Sequence, residues 1–150
     1  MGNIMIDGLN IMPLKVITDE RGKIMKMADS NSALFEKFGE IYFSFINPGI
    51  IKGWKKHQAA IQLFSVPIGT IKFVIYDDRP DSPTKNELQE IECGEDNYQL
   101  IKMPANVWYS WKTTSTFPAM IASLTSEPHN PTEATSAEIN NNSIIPYQWQ

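Results

Sequence analysis

The sequence contains one cysteine, no surplus of basic residues and no long hydrophobic run. A single cysteine, Cys93, cannot form a disulfide within the chain, so we expect a reducing compartment, the cytoplasm. The 13 basic and 17 acidic residues give a net charge of −4, which argues against a nucleic-acid partner. No stretch approaches the roughly 20 apolar residues of a membrane-spanning helix, and the N-terminus lacks a secretory signal. We therefore expect no membrane partner.

Residues 49–84 contain the longest apolar run, and the rest of the chain is organised around them. Residues rich in β-branched and aromatic side chains predict three strands here, Ile50–Trp54, Ile61–Val66 and Ile71–Tyr76. Pro67-Ile68-Gly69-Thr70 predicts a turn that makes antiparallel neighbours of the second and third strands. Pro80 ends the third strand because proline cannot donate a ladder hydrogen bond.

Short alternating segments with turn residues between them continue on both sides of this region. They predict further strands, Met12–Ile17, Lys23–Met27, Glu40–Ile46, Glu87–Glu92, Leu100–Met103, Val107–Lys112 and Ala119–Leu124. One short helix is predicted at Ala33–Phe38, after a capping segment. Such a spacing of strands is typical of a sandwich or barrel.

The composition changes near Glu127, where proline, asparagine and serine become frequent. We therefore expect one domain over residues 1–127 and an extended or mobile tail over residues 128–150. Residues 144–149 are again rich in apolar side chains, so the end of the tail is expected to dock, either on the body or on a partner subunit. His129, in the tail, is expected to lie in solvent.

Four motifs in order along the chain resemble one family. They are DERG at residues 19–22, FGEIYFSFINPGIIKG at 38–53, DDRPDSPT at 77–84 and MPANVWY at 103–109. Together they resemble the cupin superfamily and, within it, the dTDP-4-dehydrorhamnose 3,5-epimerase-like sugar-nucleotide proteins. The resemblance implies an all-β fold, the cupin double-stranded β-helix (jelly roll). Arg79, Ser82 and Thr84 of the third motif are expected to brace a turn by hydrogen bonds.

The metal-binding positions of the cupin motif are mostly replaced. Its spacing G-x5-H-x-H-x4-E-x6-G begins at Gly49, and its ligand positions hold Lys55, His57 and Gln62. The histidine of the second motif falls at Tyr109. A protonated lysine repels a cation, so we expect no metal and no cofactor, which disfavours a metal-dependent dioxygenase or isomerase.

The resemblance implies metal-free acid–base chemistry on a nucleotide-linked 4-keto sugar. In the resembled family a histidine removes a proton next to the ketone and a tyrosine returns one to the opposite face. These positions fall at Lys55 and at about Ala122 in this sequence. His57 shares a strand face with Lys55, and an imidazole is already partly neutral near pH 7. His57, Lys55 and Tyr109 are therefore the candidate catalytic residues, with His57 the better base.

Other positions matching the family predict a nucleotide-diphosphate sugar as the partner. The resemblance and the aromatic side chains nearby give the candidate substrate-binding residues Arg21, Lys52, Glu40, Tyr42, Gln62, Trp54 and Trp111. Surface charges and core packing are the alternatives for the cations and for the tryptophans.

The expected function is epimerisation or keto-isomerisation of a nucleotide-linked 4-keto sugar in deoxysugar or polysaccharide precursor biosynthesis. The alternative is a non-catalytic cupin that binds a sugar nucleotide or a protein partner, since much of the family's catalytic set is replaced. A homodimer is also expected, because small jelly rolls leave sheet edges that need cover. The apolar segment Ile4–Ile17 is the predicted contact, since the resembled family exchanges N-terminal strands.

Overall fold

The computed structural model describes residues 5–150, which form twelve strands and, within that range, no helix. The strands are β1 (Asn10–Pro13), β2 (Val16–Asp19), β3 (Gly22–Met25), β4 (Glu40–Ile46), β5 (Ile51–His57), β6 (Gln62–Ile68), β7 (Thr70–Tyr76), β8 (Leu88–Gly94), β9 (Gln99–Met103), β10 (Trp108–Thr113), β11 (Ala119–Thr125) and β12 (Ala134–Ser136). Within residues 5–150 there is no helix long and apolar enough to cross a membrane.

Two five-stranded antiparallel sheets pack face to face and confirm the predicted jelly roll. The first sheet has the order β1-β9-β6-β11-β4, and the second has the order β12-β5-β10-β7-β8. β2 and β3 form a separate hairpin. Alternating side chains of both sheets fill the space between them, among them Phe64, Phe73, Ile101 and Ile121, each at most 1% exposed. This main core leaves one end of the sandwich open for a cavity.

The predicted hairpin between Ile61–Val66 and Ile71–Tyr76 is wrong. β6 pairs with β9 and β11 of the first sheet, whereas β7 pairs with β8 and β10 of the second. Gly69 joins the two strands at a corner, with φ of +77° and no room for a side chain, since a Cβ there would lie 2.8 Å from Ala119. A short apolar-turn-apolar pattern is the same for a hairpin and for a corner between sheets, so local sequence does not separate them.

Two other local predictions are also wrong. Ala33–Phe38 is irregular, with single turns closed by Ser32 N donating to Asp29 O and Phe35 N to Ser32 O. A helix this short is not stable without an apolar face to bury. The predicted strand Met12–Ile17 is divided, because β1 ends at Pro13 and pairs with β9 while β2 pairs with β3.

The tail docks on the body of its own chain. β12 pairs with β5, and the backbone of Ala137 exchanges hydrogen bonds with that of Trp54 at 3.1 and 3.2 Å. Ile145 and Trp149 then pack against Trp54 and Trp108 on the outer face of the second sheet. The apolar end of the sequence is thus a second, smaller core that holds the tail in place.

Cys93 lies in the main core at 1% exposure. Burial, with the Glu92 carboxylate nearby, raises the pKa of this thiol to about 12. The thiol therefore remains protonated and unreactive at neutral pH, as the acidic sequence around it suggests.

The turn after β7 is braced by hydrogen bonds of Arg79, Ser82 and Thr84, as predicted, and their common acceptor is the buried carboxylate of Asp77. Asp77 is fully buried and accepts hydrogen bonds from the Arg79 guanidinium at 2.8 and 2.9 Å, from the Arg79 backbone, and from the hydroxyls of Ser82 and Thr84 at 2.6 Å each. Burial by itself raises the pKa of Asp77, but these hydrogen bonds outweigh it and hold the pKa well below its usual range.

We expect Asp77→Asn to lower the free energy of unfolding at pH 7 by about 2–4 kcal/mol, because Arg79 and two hydroxyls lose an ionised acceptor. A depressed folded-state pKa stabilises the fold above the unfolded-state value of about 4, and this stabilisation disappears as the pH falls through the folded-state value. Urea unfolding from pH 7 to pH 3 should therefore show the difference from wild type shrinking in acid. Asp81→Asn, at an exposed neighbour, is the control; an equal effect there would contradict the assignment.

Candidate functional site

A cavity of about 440 Å³ opens between the two sheets at the end where the tail crosses. β5 and β10 of the second sheet form one wall and β4 of the first sheet forms the other. The tail closes the rim. Its lining includes Lys52, Lys55, His57, Tyr109 and Trp111 on one side, Glu40, Tyr42, Ser44, Gln62 and Thr125 on the other, and Glu127, Pro128, His129, Asn130, Pro131 and Glu133 from the tail.

Eight of the ten predicted site residues line this cavity, and Arg21 and Trp54 do not. Arg21 lies at the β2–β3 turn, where its exposed side chain pairs with Asp19. Trp54 is fully buried in the second core, and its indole N–H donates to Ile139 O at 3.0 Å. Because successive strand residues point to opposite faces, Trp54 faces away from the cavity that its neighbour Lys55 lines.

His57 is held at both ring nitrogens. Its Nδ1 lies 2.7 Å from Glu133 Oε1, and its Nε2 lies 2.9 Å from the Tyr109 hydroxyl and 3.2 Å from the Gln62 amide nitrogen. A carboxylate can only accept, so Nδ1 carries the proton in the neutral ring, and Tyr109 and Gln62 donate to the lone pair on Nε2. The arrangement orients an imidazole whose basic nitrogen lies among groups of the cavity wall.

Glu133 is a site residue that the sequence analysis missed. Its Oε2 accepts from the backbone N–H groups of Ala59 at 2.9 Å and Ala60 at 3.3 Å. Burial raises the pKa of this carboxyl, but those two donors and His57 outweigh it and keep the pKa below its usual range. Glu133 lies 76 residues from His57 in a polar tail, where no local pattern distinguishes it from the other acidic residues.

The two lysines next to His57 point to opposite faces of β5. Lys56 pairs with Asp78 at 3.3 Å and lies 4.9 Å from the centre of the Trp108 ring, outside the cavity. Lys55 lines the cavity but is exposed. Lys55 therefore shares the cavity with His57, whereas Lys56 and Trp54 lie on the other face of β5.

Tyr109 and Trp111 extend the wall beside His57. The rings of His57 and Tyr109 stack with an interplanar angle of 9° and a centroid distance of 5.9 Å, and Tyr109 stacks in turn on Trp111 at 5.5 Å. Burial, followed by the nearby Tyr42 phenol, raises the pKa of Tyr109. Tyr109 is thus a neutral donor to His57, and Trp111 presents part of an aromatic face to the cavity.

His129 is exposed, as predicted, and it also lines the cavity mouth with Pro128 and Asn130. Ala122, at the position where the resemblance places a proton-donating tyrosine, is a buried methyl side chain on β11 and has no proton to give.

We expect Glu133→Gln to lower the free energy of unfolding by about 1–2 kcal/mol, because a charge-assisted hydrogen bond becomes a neutral one. In ¹⁵N NMR, the wild type should show His57 protonated mainly at Nδ1 when neutral, and the variant should show a mixture of tautomers. Glu127→Gln, at a cavity glutamate paired with Lys37 instead, is the control and should leave the His57 tautomer unchanged. A wild-type His57 protonated at Nε2 would contradict the assigned geometry.

Sequence comparison finds one family over nearly the whole chain. The model of the dTDP-4-dehydrorhamnose 3,5-epimerase family matches residues 3–149. The spore coat polysaccharide biosynthesis protein SpsL of Bacillus subtilis is 31% identical over 146 residues, which cover 97% of each chain. The probable low-salt glycan biosynthesis epimerase Agl13 of Haloferax volcanii is 34% identical over 118 residues, which cover 77% of this chain and 76% of that one.

Structural comparison agrees with the sequence matches. The crystal structure of a dTDP sugar isomerase from Desulfovibrio desulfuricans is 39% identical to this chain and superposes with a TM-score of 0.92. The match covers 96% of this chain and 92% of the other. Both the jelly-roll core and the docked tail therefore fall within the region of likeness.

Proposed function

Because the chain belongs to the dTDP-4-dehydrorhamnose 3,5-epimerase family, we propose that it epimerises a nucleotide-linked 4-keto sugar in polysaccharide precursor biosynthesis. The observation that carries the proposal is His57, an imidazole oriented by a half-buried glutamate in the wall of a cavity of about 440 Å³. Relatives named for glycan biosynthesis and for spore coat polysaccharide biosynthesis support the pathway class. The cytoplasm is the proposed location, on the ground of the single unreactive cysteine.

The proposed reaction begins with removal of a proton from the carbon next to the ketone. His57 accepts this proton on Nε2, after the substrate takes the place of the Tyr109 and Gln62 donors at that nitrogen. The electrons of the broken C–H bond move to the carbonyl oxygen and give an enolate. Glu133 stabilises the imidazolium that forms, because its carboxylate accepts the Nδ1 proton in a hydrogen bond of 2.7 Å.

Two cationic side chains of the cavity are placed to bind the negative charges of the substrate. Lys52 and Lys55 line the same wall as His57, and no ion pair within residues 5–150 occupies either ammonium group. Lys55, two residues from His57 on the same strand face, is placed to stabilise the enolate, and Lys52 to bind the diphosphate. Trp111 contributes an aromatic surface for the sugar or the base.

We expect His57→Asn to abolish exchange of the proton next to the ketone, with a loss of at least about 100-fold. Lys55→Met should lower exchange by about tenfold and weaken binding, because the enolate and the bound anion lose a cation. The measurement is deuterium incorporation from D₂O into nucleotide-linked 4-keto sugars, followed by NMR. Lys56→Met is the matched control, since its side chain lies on the other face of β5.

Each outcome of the exchange experiment discriminates between functions. If the wild type binds a nucleotide sugar in a thermal-shift screen but exchanges none, the chain is a binding protein and the enzyme proposal fails. If it neither binds nor exchanges, family membership describes only its fold.

We also propose that the protein is a homodimer that uses the outer face of β4. Ile41, Phe43 and Phe45 alternate along this edge strand and are 48%, 57% and 68% exposed, an apolar strip typical of an interface. The N-terminal segment is less suited to the role predicted for it. Ile4 lies outside the described residues, Ile6 and Leu9 are buried in the chain's own core, and β1 pairs within its own sheet.

Light scattering at micromolar concentration should therefore give a dimer mass for the wild type. Phe45→Glu should shift the mass toward the monomer, because a charge on the strip is costly to bury between subunits. Ile144→Glu, at an exposed apolar residue of the tail, is the control and should remain dimeric. A wild-type monomer would contradict the proposal.

A further inference from the structure

Inversion of a carbon centre requires an acid on the face opposite the base, and the proposed function does not yet supply one. His57 belongs to β5 of the second sheet, and β4 of the first sheet forms the facing wall of the cavity. A substrate carbon within reach of His57 Nε2 therefore presents its other face toward β4. The acid should be a side chain of that facing wall that holds a proton at neutral pH.

Tyr109 cannot be this acid, because it stands on the same side as the base. Its strand β10 is paired with β5, with Tyr109 opposite Lys55 in the register. Its ring is stacked on that of His57, and its hydroxyl donates to the same Nε2 at 2.9 Å. Tyr109 and His57 therefore approach a substrate carbon from the same wall of the cavity, so Tyr109 assists His57 and does not oppose it.

The facing wall offers one phenol, Tyr42, on β4. Its neighbours at period two, Glu40 and Ser44, also line the cavity, whereas Ile41, Phe43 and Phe45 point outward. Tyr42 pairs in register with Ser123 of β11 and is 40% exposed, so a ligand in the cavity can reach its hydroxyl. Burial raises the pKa of Tyr42, and the phenol therefore keeps its proton at neutral pH.

We propose that Tyr42 is the acid that protonates the enolate on the face opposite His57. This inference rests on the proposed function and adds the second half of its reaction. His57 takes the proton from one face of the carbon and leaves the enolate. The Tyr42 O–H bond then breaks, its proton forms a new C–H bond on the other face, and the ketone is restored. The phenolate takes a proton from water and the imidazolium loses one to water, so the enzyme returns to its starting state with no net change of charge.

The ratio of inversion to exchange separates this role from a structural one. In D₂O, His57 alone can remove a proton and return a deuteron to the same face, which labels the starting isomer without inverting it. Tyr42→Phe should therefore lower formation of the inverted product by about 100-fold, while deuterium still enters the starting isomer at a rate similar to wild type. Tyr109→Phe should lower both processes together, and Ser44→Ala, at the next cavity-facing position of β4, is the control and should leave the ratio unchanged.

Product and label are followed by NMR on full-length variants whose thermal unfolding matches that of the wild type. The assignment of Tyr42 is overturned, with the proposed function intact, if Tyr42→Phe inverts the substrate at the wild-type ratio or if Ser44→Ala changes the ratio instead. It is equally overturned if the wild type exchanges but never inverts. A wild type that neither exchanges nor inverts any nucleotide-linked 4-keto sugar defeats the proposed function, and this inference with it.

Discussion

The hydrogen bond between His57 and Glu133 is the contact on which the site depends. It joins a strand of the second sheet to a tail residue that lies 76 residues later in the chain, and it sets the tautomer of the imidazole. The carboxylate is in turn held by the backbone donors of Ala59 and Ala60. Tyr109 holds the other ring nitrogen of His57, and the backbone holds the other carboxylate oxygen of Glu133. The imidazole therefore has one orientation in the cavity wall.

The tail reaches this position because two of its parts, the strand β12 and the apolar C-terminal residues, are bound to the body. β12 adds a strand to the edge of the second sheet beside β5, and the terminal apolar residues Ile145 and Trp149 bury themselves against Trp54. β5 therefore contributes to the cavity and to the second core at once. One face carries Lys55 and His57 toward the cavity, and the other carries Trp54 toward the tail, so the site and its support share one strand.

Two positions of the candidate site differ from the positions that the family resemblance gives to the catalytic groups. The position of the family's base holds Lys55, but His57 follows two residues later on the same strand face. Likewise Ala122 of β11 has no proton to give, whereas Tyr42 of the adjoining strand β4 lines the cavity. His57 shares a strand face with Lys55, and Tyr42 lies in the same sheet as Ala122, because strand periodicity and strand pairing, not motif position, decide which side chains meet.

Several features followed from the sequence alone. Most of the strands follow from period-two patterning and turn residues, and such local signals need no knowledge of the rest of the fold. The jelly-roll class followed from the resemblance of four motifs to the cupin superfamily. The braced turn at Asp77 is local in the same sense, since its donors lie within seven residues. His57 and Lys55 could be placed on one face for the same reason.

Tertiary structure decided what depends on distant contacts. A glycine corner at Gly69 and a hairpin have the same local pattern, and only the assembled sheets show that β6 and β7 part there. Glu133 was unrecognisable in a polar tail, because its importance comes from His57, far away in the chain. Trp54 was predicted to contact the substrate, but in the structure the docked tail covers its side chain. The physical reason is common to all three: a side chain's partners across a sandwich are set by sheet pairing and burial, which the residues next to it in sequence do not encode.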